Sequence, residues 1–373
     1  MRKPVLWWLL VIIIILPLFN IVIKNQQRFT KKFDFDYFSN LYSNSQYVVG
    51  SGSEGIGDDG LYAFAGYYYL VQGGDPSQVN FEHPPLGKYF VGLSVVVFNN
   101  ENVINIIYLI LILITTYQIG KIIIKNDTLS LIPPLLISIE LHFQDHLIRS
   151  FIDLPFTLFF ILGVYFFIKA LENEKLFYAS ALFWGMAFST KFFPAIIFFY
   201  LLFLIIVKIY AKTKLKPFLI SSFLIPIIYI SSHVMYFANN HSFIEFLRHK
   251  KWMVDWWSGS PIVPFNILRN ILTGWYQDSY GGARFSEFWT PIIPAVVILA
   301  ITRLQKNIFN KSNLAVLVIY LTCIIYLIFL TFLNGGVLKF IMPIYPLLCI
   351  LAVNNIDKII RRNAVAAIKG IVI

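Results

Sequence analysis

What most constrains this chain is a succession of apolar runs separated by short connectors that carry lysine and arginine. The runs lie at 5–23 and then near 103–120, 129–141, 151–168, 176–190, 192–207, 217–237, 289–302, 313–333 and 340–354. A helix needs about 20 apolar residues to cross a bilayer core, and there every backbone polar group must be satisfied within the segment. The pattern predicts an all-α polytopic membrane protein of about ten transmembrane helices, with 1–373 forming one membrane domain. With 58% hydrophobic and only 13% charged residues, an ordinary soluble domain is excluded. The net charge of +11 belongs to the connectors, so it reads as membrane orientation and not as nucleic-acid binding. Cys323 and Cys349 both fall in apolar runs, which argues against a disulfide framework or a cysteine metal cluster.

The run 86–98 decides the topology. Its 13 residues are short for a span, and the charges fall into order only if it stays at the interface. Lys121 and Lys125, Lys169 and Lys175, the lysines from 208 to 216, Arg303 with Lys306 and Lys311, and Lys358 with Arg361 and Arg362 then share one side. By the positive-inside rule that side is the cytoplasm, with both termini, and the protein is a multi-pass cell-membrane protein. Two large external loops follow, about 24–102 with interfacial helices and about 238–288. Within the second, Arg248-His-Lys-Lys-Trp-Met-Val-Asp-Trp-Trp257 reads as an interfacial helix with tryptophans at head-group depth. Substrate stacking on Trp252, Trp256 or Trp257 is the competing reading.

Loop 24–102 holds the polar residues that suggest chemistry. Asp58-Asp59 opens it, and His83-Pro84-Pro85-Leu86-Gly87-Lys88 closes it. On the same predicted face lie Arg149-Ser-Phe-Ile-Asp153, Thr190-Lys191 and Lys339-Phe-Ile-Met-Pro343. Arg149 and Asp153, four apart, are expected to pair. Asp58 has two readings, a general base at the membrane edge or the N-cap of a following helix over 61–70. Snorkelling toward lipid head groups is the alternative for the basic residues. His142 and His146, one turn apart, are two metal-type ligands without a third, and no metal site is assigned.

Taken in order, these five motifs resemble the protein O-mannosyltransferase family and its relatives, the aminoarabinose transferases of lipid A and archaeal dolichyl-phosphate-mannose-dependent transferases. The resemblance runs from Gly57 to about Leu347, and Asp59 stands where the protein mannosyltransferases have Glu. It implies a GT-C membrane glycosyltransferase. Such an enzyme moves a hexose, mannose in the family pattern, from a polyprenyl-phosphate sugar to a protein, glycan or lipid acceptor at the outer face, with inversion. It also implies the roles: Asp58 and Asp59 catalytic, Lys88, Arg149, Lys191 and Lys339 on the donor phosphate, and His83 and Asp153 on substrate. No cofactor is assigned, a divalent metal is left open, and nucleic acid is not expected as a partner. A transporter or lipid flippase is the alternative from another class. The long first external loop and the scarcity of mid-span charges weigh against it.

Overall fold

The computed structural model describes residues 4–50, 55–259, 262–278, 281–302, 308–333 and 336–368; Arg303 and Lys306 of the basic connectors lie outside them. The described chain is mostly helical. Its only strands form a short antiparallel ribbon, Trp275–Gln277 against Ala283–Phe285, with Trp275 opposite Phe285.

Among the described residues, five helical segments are long and apolar enough to cross a membrane: Val5–Lys24, Val103–Ile124, Asp153–Ala170, Lys212–Ser232 and Lys311–Phe332. Shorter apolar helices, among them Leu176–Thr190, Ile196–Tyr210 and Ile292–Ile301, occupy other expected runs. The run 129–141 is not one helix. It ends at Ser138, and Glu140 then caps a separate helix, Leu141–Leu147, by accepting the Phe143 amide at 3.2 Å.

Helix Asp153–Ala170 is the axis of the bundle, with 78% of its apolar window buried against 6% for the peripheral Val5–Lys24. Its Phe160 packs edge-to-face on Trp184, Phe193, Phe199 and Tyr326, with ring centroids 4.9 to 6.1 Å apart. In lipid, such packing holds helices together better than apolar surface alone, because the surrounding tails are equally apolar.

This axis also separates two ends. Asp153 begins it, while Lys214 caps its far end by donating to the Leu171 and Glu172 carbonyls at 2.7 Å. At 1.5 Å per residue the 18 residues between put those ends about 27 Å apart, close to a bilayer core. Lys125, Lys358 and Arg361 line one cavity, so two of the basic connectors predicted to share a side lie together.

The 86–98 run is helix Leu86–Phe98, about 20 Å long and too short to cross. Pro84 and Pro85 lead into it, and Asn99, left-handed at φ 52°, ends it. It crosses helix Asp58–Leu70 at two glycines. A Cβ on Gly66 would come within 2.6 Å of the Lys88 carbonyl, so only glycine permits this approach. The crossing fixes the acid-bearing helix against the His-Pro-Pro turn.

Candidate active site

Helix Asp58–Leu70 starts after Gly57, and Gly57 is its N-cap. Asp58 is therefore the first helical residue and not a cap, which corrects the capping reading. Two acids in the first turn suit the positive end of the helix dipole. They then diverge. The Asp58 carboxylate lies 3.2 Å from Lys339 Nζ, with the acid 45% and the lysine 25% exposed. Asp58 is thus half-solvated, more open than a desolvated carboxylate at the membrane edge. The Asp59 carboxylate folds over Gly57, where an added Cβ would sit 2.8 Å from it, and it accepts the Gly60 amide at 3.0 Å. Ser150 Oγ donates to the Asp59 carbonyl at 2.8 Å, tying this turn to the start of the axial helix.

Asp153 and Lys191 form the buried counterpart. Lys191 Nζ is 2.5 Å from Asp153 Oδ1, and both residues are almost fully buried. His146 Nε2 lies 3.7 Å from the other carboxylate oxygen, while its Nδ1 donates to the His142 carbonyl at 2.7 Å. The expected Arg149–Asp153 pair does not form. The i,i+4 rule holds only within a helix, and this one begins at Asp153. Arg149 instead pairs with Asp145, 3.0 Å away on the preceding helix, and stays 42% exposed.

His83, Asp153 and Lys191 share one cavity of about 340 Å³, whose remaining wall is mostly apolar, with Phe156, Tyr326 and Phe340 among its members. Burial, reinforced by nearby Lys191 and Lys88, pushes the His83 imidazole well below its ordinary pKa, so the ring is neutral at pH 7. Its Nδ1 accepts the Phe192 amide at 3.5 Å, which leaves the proton on Nε2. Burial lowers Lys191, with Asp153 opposing. Lys339 goes the other way. Burial would lower it, but Asp153 and Asp58 outweigh that and hold it above the ordinary lysine value. Alternating charges thus run from Asp58 through Lys339 and Asp153 to Lys191.

Lys88 is placed differently. It is wholly buried and donates to the Asn80 carbonyl, Asn80 Oδ1 and the His83 carbonyl at 2.6 to 2.8 Å. All three ammonium protons are committed to the loop, so Lys88 shapes the His83 turn and does not line the cavity.

Several contributors escaped the sequence reading. The Phe151 ring carries Lys339 at 5.5 Å and Arg149 at 6.0 Å, and Phe340 carries Lys191 at 4.8 Å. The available signal was an aromatic one or two residues after a basic residue, at Arg149-Ser-Phe151 and Lys339-Phe340. Trp257 stacks on His83 at 5.1 Å, donates to the Glu82 carbonyl at 2.8 Å and lines the cavity. Trp257 is thus half-buried against His83, while Trp252 and Trp256 are exposed beside Phe81. Among the described residues no three His, Cys, Asp or Glu side chains converge as a metal site.

Comparison with known proteins follows the same lines. The family model for dolichyl-phosphate-mannose-protein mannosyltransferase matches residues 82–236. That segment contains His83, Lys88, Arg149, Asp153 and Lys191 but neither Asp58 nor Lys339. The fold is similar to ArnT from Cupriavidus metallidurans in the apo state, with TM-score 0.58 and 13% identity, covering 84% of this chain and 57% of that one. ArnT bound to undecaprenyl phosphate gives TM-score 0.61 and 15% identity, covering 84% of this chain and 59% of that one. The chain thus spans under two thirds of those proteins, and at such identity the likeness speaks for the fold. No curated protein matches the chain. The family model and the ArnT fold together support the protein O-mannosyltransferase/ArnT-like GT-C family that the motifs resemble.

Proposed function

We propose that the chain is an integral-membrane glycosyltransferase. It moves a hexose, by the family pattern mannose, from a polyprenyl-phosphate sugar to an acceptor hydroxyl at the outer face. The observation that carries this reading is the cavity whose long wall is apolar and whose end holds His83, Asp153 and Lys191. An apolar wall suits a prenyl chain, and buried or half-buried cations beside it suit the phosphate at its head. That the similar ArnT fold has been seen with undecaprenyl phosphate supports the same assignment.

In this reading the acceptor oxygen attacks the anomeric carbon of the donor and the carbon–phosphate-oxygen bond breaks. The acceptor proton passes to the Asp58 carboxylate, and the electron pair leaves on the polyprenyl phosphate. Single displacement inverts the anomeric carbon. Lys339 joins the two halves: it rests on Asp58 at 3.2 Å and feels Asp153. A donor phosphate drawing Lys339 toward itself frees the Asp58 carboxylate to act as base. Lys191 and neutral His83 Nε2–H complete the phosphate end, and Arg149 adds a rim cation.

The test is turnover of the purified chain in nanodiscs with labelled polyprenyl-phosphate sugars. Asp58→Asn keeps the shape of the side chain, and Gly57 remains the cap, so the variant should fold normally. Its turnover should drop by about 10² or more, the usual share of general-base catalysis. A folded Asp58→Asn protein with wild-type turnover, or a wild type that releases polyprenyl phosphate from no donor, refutes the assignment.

A further inference from the structure

The cavity that holds Lys125, Lys358 and Arg361 has a volume of about 270 Å³ and takes no part in the reaction above. It lies far from the Asp58 turn. Near the start of helix Val103–Ile124, Asn105 Nδ2 donates to the Arg149 carbonyl at 2.7 Å. From Asn105 to Lys125, just past the other end, the chain rises about 30 Å at 1.5 Å per residue, one bilayer core. The start of helix Leu314–Leu333 and the middle of helix Tyr345–Ile368 complete the cavity.

Its charges do not balance. Lys125, Lys358 and Arg361 line it with one acid, Asp357. Asp357 is held by Arg361 at 2.8 Å, one turn along the helix, and nearby Asp127 goes to Lys121 at 3.9 Å. Lys125 and Lys358 close no ion pair among the described residues. Burial and the repulsion of Lys125 lower the Lys358 pKa, and the pull of Asp357 does not restore it. Asn354 stands in the same wall. It is 2% exposed, and its Nδ2 has no hydrogen-bond partner among the described residues. Its neighbour Asn355 is satisfied, donating to the Leu299 and Ala300 carbonyls at 2.9 and 3.3 Å. A buried amide donor left open is costly unless an acceptor reaches it.

We propose that this cavity binds a phosphate group, carried by the headgroup of an anionic lipid or by a free phosphate ion. Lys125, Lys358 and Asn354 Nδ2 offer only donors, and phosphate oxygens offer only acceptors. A phosphate has enough oxygens to meet all three donors at once, and its charge offsets the two lysines. Half of helix Val103–Ile124 faces outward, so a lipid can reach the cavity along it. The site is independent of the transferase reading.

Two titrations of the purified full chain test the site and its source. In detergent without added lipid, inorganic phosphate is added at constant ionic strength and the melting temperature is followed. By native mass spectrometry, phosphatidic acid is compared with phosphatidylcholine, with and without millimolar phosphate. One phosphate group should bind per chain, as phosphatidic acid about tenfold or more tightly than phosphatidylcholine, or as the free ion with a rise in melting temperature. Lys125→Gln/Lys358→Gln should abolish the binding, and Lys125→Arg/Lys358→Arg should keep it. Lys24→Gln/Arg28→Gln should also keep it, since Arg28 lies at the other end, its carbonyl held by Asn102. Asn354→Leu should weaken binding about fivefold and leave the ligand-free melting temperature equal or higher, because it removes an unpaired buried donor. Phosphatidic acid that millimolar phosphate does not displace assigns the lipid headgroup; displacement, or binding of inorganic phosphate alone, assigns the free ion. No phosphate effect in either titration, or binding that survives the double Gln change, overturns the site. An Asn354→Leu chain that melts lower and binds phosphate normally overturns the part given to Asn354.

Discussion

The two cavities flanking the Asp58–Asp59 turn handle charge in opposite ways. In the apolar one, Lys191 is matched by Asp153 at 2.5 Å, and His83, Asp153 and Lys191 are all nearly dry. In the polar one, of about 610 Å³, Lys24, Arg28, Lys31 and Lys32 stand solvated beside Asp34, Asp59 and Glu101, and none of these cations closes an ion pair among the described residues. An ion in a dry bundle end has to be neutralised by the fold itself, because water cannot do it. An ion at the wet edge can wait for its ligand. A charge pair is therefore structural where it is buried, and an unpaired charge is informative about ligands only where water reaches it.

The sharpest way to break this contrast is to delete one cation from each cavity. Lys191→Met leaves Asp153 buried and unpaired and should cost about 3–5 kcal/mol of stability, whereas Asp153→Leu/Lys191→Met should recover most of that loss. Lys31→Met in the polar cavity should change stability by no more than about 0.5 kcal/mol. Detergent thermal unfolding of the three variants decides it. Equal losses at Lys191 and Lys31, or a double variant as weak as the single one, would show that the Asp153–Lys191 pair is not the structural element described above.

A second comparison separates lysines that the sequence could not tell apart. Lys339→Ala should weaken donor use by about 1–3 kcal/mol, the range for a charge-assisted hydrogen bond, and Arg149→Ala by the lower part of that range because Arg149 is exposed and already paired with Asp145. Lys88→Met should behave otherwise. It strands the Asn80 and His83 carbonyls, so thermal stability falls while donor KM in the surviving folded fraction stays near wild type. Donor KM measured beside melting temperature sorts the three. A Lys88→Met protein of normal stability but weak donor affinity would return Lys88 to the phosphate.

How much of this was legible in the sequence depends on the kind of interaction. The helical membrane character and the short Leu86–Phe98 helix followed from run length, which is a property of one segment at a time. Motif order likewise brought His83, Asp153 and Lys191 to one cavity and Asp58 to Lys339. Partners were harder. Arg149 was assigned to Asp153 because of their spacing, but that spacing makes neighbours only inside a helix, and the helix starts at Asp153, four residues after Arg149. Lys88 was grouped with the phosphate ligands because a lysine's position in a motif does not reveal whether its protons face a cavity or three carbonyls. The polar cavity was invisible because Arg28 and Lys31 meet Asn100 and Asn102 across roughly 70 residues. Only the fold specifies such a contact.

The smallest effect expected concerns helix Phe243–Ser258, which carries Trp257 and so closes one wall of the apolar cavity. Its N-terminus is set by a capping box between Ser242 and Glu245. Its inner face rests on Lys250, whose Nζ is 2.7 Å from His233 Nε2 and lies over the Phe246 ring at 4.9 Å. Burial, with Lys88 adding repulsion, pulls the Lys250 pKa down to about 7. The sign then follows from linkage. Between about 7 and the ordinary lysine value near 10.5, the undocked helix binds the proton that the docked one releases, so docking strengthens as pH rises through that window. Below about 7 both forms are protonated and the full penalty on docking remains. Hydrogen-exchange protection of this helix, corrected for intrinsic exchange, should therefore rise modestly from pH 7 to pH 9. Lys250→Met should make it independent of pH, because no proton is left to exchange. Protection that falls over the same range would mean that the ammonium, held by His233 and the Tyr229 ring, is what docks the helix. The cavity wall would then tighten on acidification instead.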